Sequence, residues 1–124
     1  MNARRILVIE DDVLQLMAHV MTLEDWGYIA VGAIDEEEAL ARVEEGMPDL
    51  LLCDYLLARG TTGPQLVERI RQATGRRLPV IFVTGVSGAD RLERIAAVGG
   101  TLIAKPFHLD ELRRTIKALL GEDS

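Results

Sequence analysis

The sequence predicts an α/β fold in which five parallel strands alternate with five helices in one doubly wound sheet. Three observations carry that prediction. Short, unbroken apolar runs mark strands buried on both faces: Ile6-Leu7-Val8-Ile9, Leu50-Leu51-Leu52-Cys53, Val80-Ile81-Phe82-Val83 and Leu102-Ile103-Ala104. Stretches of helical spacing separate the runs, which implies right-handed crossovers between parallel strands. Finally, the runs end on polar residues: Glu10-Asp11-Asp12, Asp54, Thr84 and Lys105-Pro106. Groups just past the carboxyl ends of parallel strands collect at one edge, where ligands bind.

The first strand covers about residues 5–9. The helix after it carries Val13, Leu16, Met17, Val20, Met21 and Leu23 at helical spacing, and Gly27 stops it. Tyr28 to Val31 is a shorter second strand. Asp35 caps the next helix, whose acidic first turn, Glu36-Glu37-Glu38, suits the helix dipole. That helix ends near Gly46-Met47-Pro48, and the third strand follows. Gly63-Pro64 opens the third helix, where the missing proline N–H costs nothing. Ser87 and Asp90 are spaced as a cap-like pair for the fourth. Leu109, Leu112, Ile116, Leu119 and Leu120 form one stripe on the fifth. Periodicity does not fix the strand order; the flavodoxin-like order 2-1-3-4-5, one of two common solutions, would set the first strand beside the third and bring Glu10, Asp11 and Asp54 together.

At 124 residues, with 48% hydrophobic and 27% charged content, the chain reads as one globular domain spanning residues 1–124. A net charge of −6 argues against direct nucleic-acid binding, which rests on basic contacts. The basic clusters Arg69/Arg71, Arg76/Arg77 and Arg113/Arg114/Lys117 read as solvated faces. The single cysteine, Cys53, reads as a buried small hydrophobe suited to the cytosol. Arg4-Arg5 precedes only four apolar residues, too few for a signal-peptide core or membrane span. The expected location is the cytoplasm.

Three or four carboxylates at one edge repel one another, and a hard divalent cation relieves that repulsion. Magnesium, or manganese, is the expected partner, because it favours carboxylate, water and phosphoryl oxygens. Asp54, alone at its strand end, could act as a nucleophile towards phosphorus and form an aspartyl phosphate. Lys105 and the Thr84 hydroxyl could then neutralise the phosphoryl oxygens.

The ordered set ILVIEDD, LLLCD, VIFVT and AKPF resembles the receiver domain of two-component response regulators, in its single-domain, chemotaxis-regulator-like form. The resemblance covers essentially the whole chain. It implies that Asp54 accepts a phosphoryl group from a phosphohistidine on a histidine kinase or phosphotransfer protein. Asp11 would ligate the metal directly, Glu10 mainly through water, and the Leu56 backbone carbonyl would complete the site. Thr84 and Lys105 would contact the phosphoryl group, and the Lys105–Pro106 bond would be cis. Asp12 would be a flanking surface acid. The switched surface would be that of the fourth helix, fifth strand and fifth helix, in a monomer that can dimerise on phosphorylation.

The chain also departs from the family pattern. Ala58 stands where proline is common, and the loop from Ala58 to Gly63 looks one residue longer than usual. Leu102 occupies the position usually held by an aromatic switch. Leu56 and Val86 stand two residues after the phosphoacceptor and the threonine, flanking the path of attacking water; both are apolar, which implies slow loss of phosphate. Other classes fit less well. An aspartate-nucleophile phosphatase would want its nucleophile after the first strand, with a second aspartate two residues on. A flavin or nucleotide binder would want a glycine- or hydroxyl-rich loop there. A receiver module of a hybrid sensor kinase or larger regulator, and a receiver-like interaction domain that is never phosphorylated, remain as alternatives.

Overall fold

The computed structural model describes residues 3–85 and 88–122. In chain order the elements are β1 (Arg5–Ile9), α1 (Val13–Asp25), β2 (Ile29–Ala33), α2 (Glu36–Glu45), β3 (Leu50–Cys53), a single 3-10 turn (Ala58–Gly60), α3 (Gly63–Thr74), β4 (Val80–Thr84), α4 (Ala89–Ala97), β5 (Thr101–Ala104) and α5 (Leu109–Leu120). The five strands are parallel, in the order β2-β1-β3-β4-β5.

Strand residues alternate between two cores. Leu7, Ile9, Leu51, Cys53, Val80 and Phe82 face a core shared with Leu66, Val67 and Ile70 of α3 and Ile95 of α4. Ile6, Val8, Leu50, Leu52, Ile81, Val83 and Ile103 face the other, closed by Leu23 of α1 and by Leu112, Ile116 and Leu120 of α5. Burial on both faces explains why the strands read as unbroken apolar runs rather than alternating ones.

Several boundaries differ from the sequence expectation. β2 begins after Tyr28, whose N–H is taken by the Leu23 carbonyl at 3.1 Å as part of the exit from α1. The strand instead continues through Gly32 and Ala33, opposite Val8 and Ile9. The α1 stripe is only partly a core face. Leu23 is buried, Leu16 and Val20 are half-buried, and Val13, Met17 and Met21 are exposed, as is neighbouring Leu14. On α5, Leu109 and Leu119 are likewise exposed. Ser87 lies outside the described residues; the N-cap position of α4 is Gly88, with no side-chain cap bond. Arg71 is not a solvated-face residue. Its guanidinium bonds to the Leu78 carbonyl at 2.8 Å and the Val98 carbonyl at 2.6 Å, tying α3 to the segments flanking β4 and α4.

Candidate functional site

Register builds the acidic half of the site. Ile9 pairs with Cys53, so the next residues, Glu10 and Asp54, leave adjacent strands side by side. Backbone bonds hold them there: the Glu10 N–H donates to the Ala33 carbonyl at 3.0 Å, and the Asp54 N–H to the Ile9 carbonyl at 3.1 Å. Carboxylate oxygens of Glu10, Asp11 and Asp54 lie within 4.8 Å of one another. Glu10 is buried, Asp54 half-buried and Asp11 exposed, so the cluster opens to solvent on one side.

β4 and β5 supply the other half. Thr84 pairs with Ala104 and is buried, and the Lys105 N–H donates to the Thr84 carbonyl at 2.9 Å. The Lys105–Pro106 peptide bond is cis. Lys105 Nζ stands 3.6 Å from Glu10 Oε1 and 3.7 Å from Asp54 Oδ2. Burial raises the Glu10 carboxyl from its ordinary 4.5 to about 7; the Asp12 N–H opposes this, the Asp54 charge and the Asp11 side chain add to it, and Lys105 lowers it least. An acid held this far up binds either a proton or a cation near neutrality, and a trio of hard oxygen donors suits a divalent ion.

The loop after β3 is locked to α3. Asp54 Oδ1 accepts from the Tyr55 N–H at 2.7 Å, and the Gly63 N–H donates to the Tyr55 carbonyl at 2.6 Å. A Cβ on Gly63 would lie 2.4 Å from the Asp54 carbonyl oxygen and 2.7 Å from the Phe82 ring, so no larger residue fits that approach. The six residues from Ala58 to Gly63 are taken up by the 3-10 turn, with Arg59 in the left-handed region at φ 62°, and by a bridge between Leu56 and Thr62. The Leu56 side chain is 48% exposed, facing solvent rather than the core. Val86 lies outside the described residues. Leu102 is half-buried and packs on the α3–α4 core.

Asp12 does more than flank the cluster. It is the N-cap of α1, its Oδ1 accepting from the Leu14 and Gln15 N–H groups at 3.0 and 3.2 Å. Sequence reasoning missed two contacts. The Tyr55 N–H on Asp54 leaves no mark in the sequence, because any non-proline residue offers it. Gln15 Oε1 accepts from Lys105 Nζ at 2.6 Å, and the one available signal was Asp12-x-x-Gln15, a capping-box spacing. His19 lies on the α1 face, stacked on Phe107 with ring centroids 6.4 Å apart, and His108 is the N-cap residue of α5. Neither joins the acidic cluster. Cys53 is buried, and burial pushes its thiol well above its ordinary range.

With this geometry in place, comparison with known proteins assigns the family. The response regulator receiver domain model matches residues 6–117, and the chain belongs to that family. It is 34% identical over 122 residues to the two-component response regulator PhoP of Pseudomonas aeruginosa, covering 97% of this chain and 53% of that protein. It is also 34% identical over 120 residues to the phosphate regulon transcriptional regulatory protein PhoB of Escherichia coli, covering 95% and 52%. The chain thus spans about half the length of these curated relatives. Among solved structures, the chemotaxis protein CheY4 of Vibrio cholerae superposes with a TM-score of 0.87 at 26% identity, covering 96% of this chain and all of that one. A CheY-like receiver domain protein from Methanospirillum hungatei gives 0.87 at 28% identity, covering 97% and 95%. Among the described residues, no helix is long and apolar enough to cross a membrane.

Proposed function

We propose that this chain is the phosphoacceptor receiver of a two-component phosphorelay, with Asp54 as the acceptor. The observation that carries the reading is the convergence of the Glu10, Asp11 and Asp54 carboxylates against the Lys105 ammonium, in a chain of the receiver family. The donor is a phosphohistidine on a histidine kinase or phosphotransfer protein. An Asp54 carboxylate oxygen attacks phosphorus: the O–P bond forms as the P–N bond breaks, and the imidazole leaves with its electron pair and takes a proton from solvent. Lys105 draws the phosphoryl charge from one side, and the Thr84 hydroxyl donates to a phosphoryl oxygen. Glu10, Asp11, Asp54 and the Leu56 carbonyl are the groups that would hold magnesium or manganese. When bound, that ion neutralises phosphoryl oxygens as charge develops.

The chemistry is confined to the chain's own phosphorylation and dephosphorylation; no external metabolite is turned over. The output is a change of the α4–β5–α5 face, made by loop and helix shifts because Leu102 has no ring to rotate. We place the protein in the cytoplasm, with no direct nucleic-acid contact by this domain. The reading applies equally to residues 1–124 acting alone and to a receiver module within a larger regulator or hybrid sensor kinase.

The test is phosphoryl uptake from a small donor such as phosphoramidate, followed by intact mass. Wild type with magnesium should gain one phosphoryl group, while chelated protein and Asp54→Asn should gain none. Equal uptake by Asp54→Asn contradicts the assignment. The phosphoryl group should also be lost slowly, since Leu56 and Val86 offer no hydrogen bond to hold an attacking water in line. Leu56→Asn with Val86→Glu should release phosphate faster than wild type; unchanged release means these side chains do not set the lifetime.

A further inference from the structure

We infer that Gln15 is a positioning residue for the phosphoryl transfer, acting through Lys105. The inference rests on the reading of Asp54 as phosphoacceptor. Among the described residues, three oxygens face Lys105 Nζ: Gln15 Oε1 at 2.6 Å, Glu10 Oε1 at 3.6 Å and Asp54 Oδ2 at 3.7 Å. The two carboxylates are at ion-pair range, and the amide is at hydrogen-bond range. A lysine stem is long and loses rotamer entropy when fixed, so the direct bond to Gln15 decides where the ammonium sits.

Gln15 is itself held from the other side. Its Nε2 donates to Asp12 Oδ2 at 3.2 Å, while its backbone N–H donates to Asp12 Oδ1 at 3.2 Å. Turning the amide over would set its N–H₂ against the ammonium and its oxygen against the carboxylate, and both contacts would repel. Asp12 therefore orients Gln15, and Gln15 aims Lys105. The lysine's two remaining protons face the Glu10 and Asp54 side, where an incoming phosphoryl oxygen would arrive. Gln15 and Lys105 border a groove of about 480 Å³ between α1 and the β5–α5 segment, lined also by Ala18, His19, Pro106 and Phe107.

The helix cap uses the backbone N–H of Gln15, so Gln15→Met removes the amide relay and keeps the cap. At saturating phosphoramidate and magnesium, Gln15→Met should accept the phosphoryl group about 2- to 10-fold more slowly, the worth of one positioned hydrogen bond. In a Lys105→Met background the same substitution should cost nothing further. The chain has two lysines, Lys105 and Lys117, so the ammonium ¹H–¹⁵N spectrum is simple to assign. The Lys105 signal should be protected from solvent exchange in wild type and lose that protection in Gln15→Met. Equal slowing in both backgrounds, or an unchanged Lys105 signal, overturns the inference. If wild type accepts no phosphoryl group while the signal still depends on Gln15, the contact stands and the phosphoacceptor reading is what fails.

Discussion

The two halves of the site are held by different means. At the ends of β1 and β3, Glu10 and Asp54 are fixed by main-chain bonds to Ala33 and Ile9, and the loop behind Asp54 is clamped by the Gly63 N–H on the Tyr55 carbonyl. At the end of β5, the working group sits at the tip of a flexible lysine, held by the side chain of Gln15. The acidic half is thus part of the fold, and changes there should alter stability and chemistry together. The basic half is adjustable, and changes there should alter rate with the fold intact.

Gly63→Ala attacks the fixed half directly. The added methyl would meet the Asp54 carbonyl oxygen and the Phe82 ring, so stability should fall by about 1–3 kcal/mol, with phosphoryl uptake falling alongside it. Chemical denaturation and an uptake assay on the same preparation check both. Loss of uptake at unchanged stability would contradict the claim that the loop is structural.

Lys105→Met tests the adjustable half. Uptake should fall about 100-fold, the usual scale for removing one charge-stabilising donor from a transition state. Far-UV circular dichroism should stay native. A loss of fold would erase the contrast between the halves.

Glu10 gives a smaller effect with a defined sign. Its carboxyl stays protonated in the metal-free folded protein up to about pH 7, against an ordinary 4.5, so the folded state holds the extra proton between those values. Metal-free stability attributable to Glu10 is therefore complete below about 4.5 and is lost as pH rises through about 7. Thermal melts of wild type and Glu10→Gln should diverge across this window, with the variant a few degrees more stable above it. Magnesium should bind wild type more tightly as pH rises to about 7, because ion and proton compete for one carboxyl. Parallel melting curves for the two proteins would show that Glu10 is not perturbed.

The strand-end residues of both halves were legible in the sequence; the side-chain contact that holds the adjustable half, Gln15 on Lys105, was not. Apolar runs ending in Glu10, Asp54, Thr84 and Lys105 located the site, because strand ends are set by main-chain pairing that follows the hydrophobic pattern. The Gln15 contact depends on how α1 is rotated against β5, which tertiary packing decides. The same rotation leaves Val13, Met17 and Met21 exposed although their spacing matches a core stripe. The start of β2 was misplaced for a local reason: Tyr28 completes the α1 exit, a main-chain bond that no side-chain pattern announces.

The central claim is that Asp54 carries the phosphoryl group. Borohydride reduces an acyl phosphate to the alcohol, so phosphorylated protein can be trapped, digested and sequenced by mass spectrometry. The account predicts homoserine at position 54 in protein treated with phosphoramidate and magnesium, and none when the metal is chelated. Reduction at Asp11, Asp12 or elsewhere, with position 54 unmodified, would contradict it.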